Sequence, residues 1–355
     1  MAERPAAAPA RRVLRPSAAA ARGRTHDPVR VIVSRGGLEE SAHEVHAVIC
    51  DAAGAAFAVH GDPEVPVIAR SAIKPIQAAV AWDAGAFHAL GFGPEEVALA
   101  CASHGGEPEH VAVARRALAL CGAGEEDLAC GPHEPLHAPA ARALAAAGER
   151  PGRIHNNCSG KHAAMIALAR HLGTPVRGYH AAEHPVQRAM GAELAAWAGL
   201  DPASLQTATD GCGVVTFRLP LRALAEAYAR WGIADAGPRA VRGAIAAHPR
   251  LLAGTGRLCT AVTRATGGAV LAKVGAEGVY CACVPARGLG IALKALDGSR
   301  RAADAALAAL LAASGAVRDD VAAELRELAC PPVRNTRGDL VGAIEAVAGD
   351  GGARS

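Results

Sequence analysis

Arg70-Ser-Ala-Ile-Lys-Pro-Ile-Gln77 sets a serine hydroxyl and a lysine amine three residues apart, a spacing that puts both on one face at the start of a helix. A nucleophile thus lies beside a base. In a chain of ordinary composition such an S-x-x-K match arises about once by chance, so the surroundings must carry the reading. They do so through lysine: of 37 basic residues only Lys74, Lys161, Lys273 and Lys294 are Lys, the other 33 being Arg. Arg stays protonated in proteins, whereas a buried Lys can become a neutral base or ligand. Positions that need a free amine are where an Arg-biased chain keeps Lys.

Two further elements extend the pattern. Lys273-Val-Gly275 closes an expected strand and resembles the K-T-G element that accompanies S-x-x-K in penicillin-binding proteins and serine β-lactamases. Ser103-His-Gly-Gly106 lies between the two in sequence, where that superfamily carries S-D-N. Lowering a lysine pKa from about 10.4 to about 7 costs on the order of 4 to 5 kcal/mol, which burial and a second cation can supply. Lys74 and Lys273 facing one pocket would each depress the other. The expected units are therefore Ser71 with Lys74 and Ser103 with Lys273.

His155-Asn-Asn-Cys-Ser-Gly-Lys-His162 and Asp210-Gly-Cys-Gly213 add a third constellation. The Gly-Lys here is no phosphate loop, because a glycine is missing five positions earlier and His162 stands where Ser or Thr should follow. Cys158 and Cys212 with Lys161 form a possible ligand set, the thiolates suiting zinc. Two structural cysteines are the alternative. His133-Glu-Pro-Leu-His137 matches H-E-x-x-H, yet Pro132, Pro135 and Pro139 argue against the helix that motif requires.

Around these motifs the composition is that of a folded chain: 355 residues, 51% apolar and 20% charged. Residues 1–27 hold six Arg against Glu3 and Asp27, so the net charge of +3 comes entirely from this Ala-, Arg- and Pro-rich stretch. It reads as a disordered tail, with a transit peptide as the alternative. The body is not basic, and ten aromatics are few for stacking bases, so no nucleic-acid partner is expected. No apolar run suits a membrane span or an export signal, which points to the cytoplasm. The ten cysteines include no CxxC pair and read mostly as small buried hydrophobes, Cys281 and Cys283 among them.

Periodicity predicts strands over 29–34, 46–50 and 57–59, then helices over 71–84, 95–102, 108–120 and 138–147. A second helical run covers 160–172, 185–199, 221–231 and 239–248. Strands return at 269–274, 279–284 and 290–296, before helices at 302–313 and 319–328. The expected fold is α+β: an antiparallel sheet begun by the first strands and completed by the late ones, flanked by helices, with a helical middle region. The domain should occupy 28–345, with 346–355 as a flexible C-terminus.

Arg70–Gln77, the Ser103 and Lys273 elements, 155–162 and 210–213 together resemble, in order and spacing over roughly 29–340, the Rhizobium etli type (class 3) L-asparaginases. The resemblance implies a serine β-lactamase-like fold, a homodimer, hydrolysis of L-asparagine to L-aspartate and ammonia, and zinc beside the catalytic serines. Carried over by position, Ser71, Lys74, Ser103 and Lys273 are catalytic, and Cys158, Lys161 and Cys212 bind the metal. Arg70, His162 and Asp210 line that site and bind substrate. Three of the four lysines acquire a reason; Lys294, expected on a strand surface, has none. A related amidohydrolase acting on glutamine or a peptide-like amide is the alternative, and a non-catalytic metal or amino-acid sensor is the rival from another class.

Overall fold

Gly36 and Gly37 both have positive φ, 58° and 82°, because a two-residue hairpin turn that matches strand twist needs φ > 0 at both positions. They join β1 (Val29–Arg35) to β2 (Leu38–Asp51); β3 (Ala56–His60) folds back on β2, and β4 (Pro66–Ile68) follows. The computed structural model describes residues 27–348. The tail expected over 1–27 falls almost wholly outside the described residues.

A 3-10 turn over Arg70–Ile73 opens α1 (Lys74–Asp83), and α2 (Ala86–Leu90), α3 (Pro94–Ala100), α4 (Pro108–Leu120) and α5 (Ala138–Ala146) succeed it. Then come α6 (Ser159–His171), α7 (Pro185–Ala198), β5 (Gln206–Thr209) and β6 (Val215–Pro220). Four helices close this middle region: α8 (Leu221–Ile233), α9 (Gly237–Ala247), α10 (Pro249–Ala253) and α11 (Leu258–Ala265). The chain ends with β7 (Leu271–Val274), β8 (Val279–Val284), β9 (Leu289–Ala295), α12 (Arg300–Ala313), α13 (Asp319–Ala329), β10 (Val333–Arg334) and β11 (Leu340–Ala348).

The main sheet has the order β10-β11-β1-β2-β9-β8-β7, with β3 also on β2, and its pairings are antiparallel. Early and late strands meet where β2 pairs with β9, Val45 opposite Ala295 and Ile49 opposite Ile291. The α+β expectation of a sheet assembled from both chain ends holds. Helices α8 and α12 both pack on β2, β8 and β9, and all six residues of β8 are buried, as in a strand covered on both faces. Cys281 and Cys283 lie there, and nine of the ten cysteines are buried free thiols.

Several elements differ from the sequence-based expectation. β2 is 14 residues long where 46–50 was expected, and the missed first half is largely exposed and carries no apolar alternation to betray it. The helix expected over 71–84 begins as a 3-10 turn. A small sheet, β4-β6-β5, and the strand β11 were not foreseen. β11 pairs with β1 through Val29 and Ala348, so the boundary set at 345 falls inside a strand. Among the described residues no helix is long and apolar enough to cross a membrane.

Candidate active site

Three lysines are buried: Lys74 is 1% exposed, Lys161 4% and Lys273 0%. Lys74 is the first residue of α1, ahead of Pro75, whose missing N–H costs nothing in a first helical turn. Its Nζ donates to Ala102 O at 2.5 Å and to Ser103 Oγ at 3.1 Å, and lies 3.2 Å from Cys158 Sγ. Lys273, on β7, brings its Nζ to 2.9 Å from the same Ser103 Oγ and 2.8 Å from Val274 O. Ser103 follows α3 and is held by its N–H on Leu252 O at 3.1 Å.

Ser71 and Lys74, expected as a pair, are not joined by a hydrogen bond in this structure. Both amines converge on Ser103, and among the described residues no hydrogen bond reaches the Ser71 hydroxyl. A 3-10 turn aligns i with i+3, but the lysine stem is long enough to carry its amine past Ser71 to the neighbouring segment. Arg70, just before Ser71, has φ of 50°, a left-handed backbone that costs a non-glycine residue of order 1 kcal/mol or more. Burial, then the charge of Lys74, brings the Lys273 pKa down to about 7. A base poised near neutrality thus touches the Ser103 hydroxyl.

The thiol cluster adjoins this pair. Cys158 caps α6, with Lys161 and His162 on its first turn, so helical spacing alone gathers the three. Gly160 lets α6 approach α3: a Cβ there would lie 2.4 Å from Leu99 O. Lys161 Nζ is 3.0 Å from Cys212 Sγ and 4.0 Å from Asp210 Oδ2, and Arg70 pairs through Nε with Asp210. A hydrogen bond from Cys212, opposed by burial and aided by Lys74 and Lys161, holds the Cys158 thiol well below its ordinary pKa. Cys212, which keeps the proton, is pushed up. Burial opposes the charge on Lys161, but Cys158, Cys212 and Asp210 outweigh it and raise its pKa. Burial likewise works against the Asp210 carboxylate, yet Lys161 and Arg70 keep its pKa low.

Among the described residues no group of three or more His, Cys, Asp and Glu is spaced to hold a metal ion. A metal here depends on Lys161 as its third donor. Two adjoining thiols, one of them ready as thiolate, suit a soft, four-coordinate cation such as zinc, and Lys161 would join them by giving up the proton that its anionic neighbours otherwise hold on it. The residues fit that group.

Other side chains complete the picture. Thr216 Oγ accepts the Arg70 N–H at 3.1 Å, His104 Nε2 lies 2.9 Å from Ser159 Oγ, and the Tyr179 hydroxyl lies 2.6 Å from His162 Nδ1. His104 belongs to a motif visible in the sequence; Thr216 and Tyr179 carry no local signal. Residues 131–135 form no helix, so His133 and His137 lack the shared face of a zincin. Lys294 finds its reason here: Nζ donates to Glu277 O and Ala295 O, each at 2.6 Å, and Glu277 has φ of 57°. It ties down a strained turn.

A solved structure described as a β-lactamase from Mycobacterium bovis is similar at 14% identity, covering 79% of this chain and 95% of that one, with a TM-score of 0.31. That likeness is too loose to bear on chemistry. None of the curated proteins compared matches the chain. Residues 31–346, from β1 to β11, match the profile of L-asparaginase II. The match takes in every residue of the lysine, serine and thiol clusters, and by it this chain belongs to the L-asparaginase II family.

Proposed function

We propose that this chain hydrolyses L-asparagine to L-aspartate and ammonia through an acyl-enzyme, as an L-asparaginase of the Rhizobium etli type. Family membership makes it an amidohydrolase of asparaginase type acting on a small molecule; the substrate and the serine–lysine route are our reading. The observation that carries it is the Ser103 hydroxyl between two buried amines, at 3.1 and 2.9 Å. One of those amines has its pKa brought to about 7, the condition for proton transfer at neutral pH.

In this reading Ser71 Oγ attacks the side-chain amide carbon and gives its proton to Lys74, three residues on, once substrate binding turns that amine from Ser103 toward Ser71. Ser103 connects Lys74 to Lys273, and a proton returned along this line lets the nitrogen depart as ammonia. Water then cleaves the seryl ester, releasing aspartate. Ser71 suits the attacking role because, among the described residues, no hydrogen bond ties up its hydroxyl, and it sits beside a strained residue. Cys158, Lys161 and Cys212 would hold zinc, which when bound supplies a fixed charge for the α-amino or carboxylate end of the substrate. Arg70, His162 and Asp210 orient that end.

The test is ammonia release from asparagine, from glutamine and, by colour, turnover of a chromogenic β-lactam, before and after chelation, with zinc measured on the same sample. Asparagine should be preferred and Ser71→Ala should abolish turnover. Full activity in Ser71→Ala would overturn the nucleophile assignment. Zinc binding without ammonia from any amide would favour a sensor. We also propose a homodimer, which light scattering would test against a monomer of 35.8 kDa.

A further inference from the structure

His162 is fully buried, next to Lys161 and four residues beyond Cys158, one helical turn along the same face of α6. Its two ring nitrogens differ. Nδ1 lies 2.6 Å from the Tyr179 hydroxyl, whereas Nε2 is buried with no partner among the described residues. The Tyr179 oxygen also accepts the Ala129 N–H at 2.9 Å. Tyr179 is itself buried, its carbonyl accepting from Gln187 Nε2 at 2.8 Å and its ring edge-on to His162.

Hydrogen counting selects one arrangement. The Ala129 N–H can only donate, so it takes one lone pair of the phenol oxygen. The phenol hydrogen then has one acceptor in reach among the described residues, His162 Nδ1. With Nδ1 accepting, the ring hydrogen sits on Nε2. In the opposite arrangement Nδ1–H donates to Tyr179, and both the phenol hydrogen and the Nε2 lone pair are left without partners. A buried site favours the arrangement with fewer unpaired polar groups.

We propose that Tyr179 is a positioning residue that fixes His162 in its Nε2–H tautomer, so that His162 meets its ligand as a hydrogen-bond donor and not as a metal ligand. This rests on the site reading above. The ligand group it meets must be an acceptor, and the carboxylate of the amino-acid substrate is the acceptor that the proposed reaction brings. Zinc would then draw its protein donors from Cys158, Lys161 and Cys212.

The experiment is long-range 1H–15N correlation on the full-length protein labelled with 15N-histidine, without substrate, the His162 signals being identified by their loss in His162→Gln. The expected result is hydrogen on Nε2 in the wild type, and hydrogen on Nδ1 or a mixture of both forms in Tyr179→Phe. Tyr179→Phe should also raise KM for asparagine about tenfold while kcat changes by less than about threefold, the signature of lost binding rather than lost chemistry. Hydrogen on Nδ1 or on both nitrogens in the wild type overturns the proposal, as does an unchanged tautomer in folded Tyr179→Phe. The wild-type spectrum decides the tautomer even where the variant does not fold. Absence of asparagine turnover would defeat the proposed function and leave the spectrum to judge Tyr179.

Discussion

Replacing Lys273 by Met tests the electrostatics of the site directly. Burial and Lys74 take this amine from 10.5 to about 7, which at 1.36 kcal/mol per unit is worth about 5 kcal/mol between the two charge states. That is comparable with the whole stability of an ordinary domain. The folded pKa lies below the unfolded one, so between pH 7 and 10.5 the unfolded chain binds the extra proton and stability rises with pH. Below about 7 the lysine is charged in both states, and the folded protein carries the full burial cost. Methionine, similar in shape, removes this titration. Urea unfolding of both proteins from pH about 6 to about 9 should show a difference that is flat at first. It then grows in favour of the wild type by about 2 to 3 kcal/mol between pH about 7 and 9. In a Lys74→Met background the rise should move to higher pH, because one source of the depression is gone. Parallel pH profiles for wild type and Lys273→Met would show that Lys273 titrates normally and would refute the reasoning.

Ser103→Ala should lower kcat by about 10² to 10⁴, the scale of a lost proton-transfer partner; steady-state rates with a wild-type circular dichroism spectrum check it. Gly160→Ala forces a methyl to within 2.4 Å of Leu99 O and should cost about 1 to 3 kcal/mol, seen in chemical denaturation. Lys294→Met gives up two hydrogen bonds to carbonyls and should cost about 1 to 3 kcal/mol while leaving turnover intact, in contrast to the other three lysines. Zinc added to metal-free protein should raise the melting temperature of the wild type and not of Cys212→Ser, through binding to the folded state; equal shifts would place the metal elsewhere.

Much of the site is readable because its parts are local. Ser71 and Lys74 occupy a single turn; Cys158, Lys161 and His162 occupy one helix start; Asp210 and Cys212 share one tight turn. Scarcity of lysine marks the buried amines, since an Arg-rich chain has little other use for them. Strands with one buried face, such as β1, show in the alternation of apolar residues. The first half of β2 does not show, because both its faces are largely exposed and nothing in its composition demands burial. β11 carries no predicted element, its last residues falling in the expected flexible C-terminus, and its pairing with β1 and β10 makes it a strand.

What the sequence by itself determined was the inventory: two serines, three amines, two thiols, an arginine and an aspartate, each in a short motif. Which hydroxyl the amines serve was decided by tertiary structure. Lys74 sits three residues from Ser71 and 29 from Ser103, yet it bonds Ser103, because the packing of α1 against α3 brings the loop after α3 within reach of its long stem. Lys273 reaches the same oxygen from 170 residues away. Tyr179 and Thr216 enter the site by the same route. Spacing along the chain fixes neighbours only within a turn or a strand; a side chain several ångströms long chooses among contacts that exist only once the elements have packed.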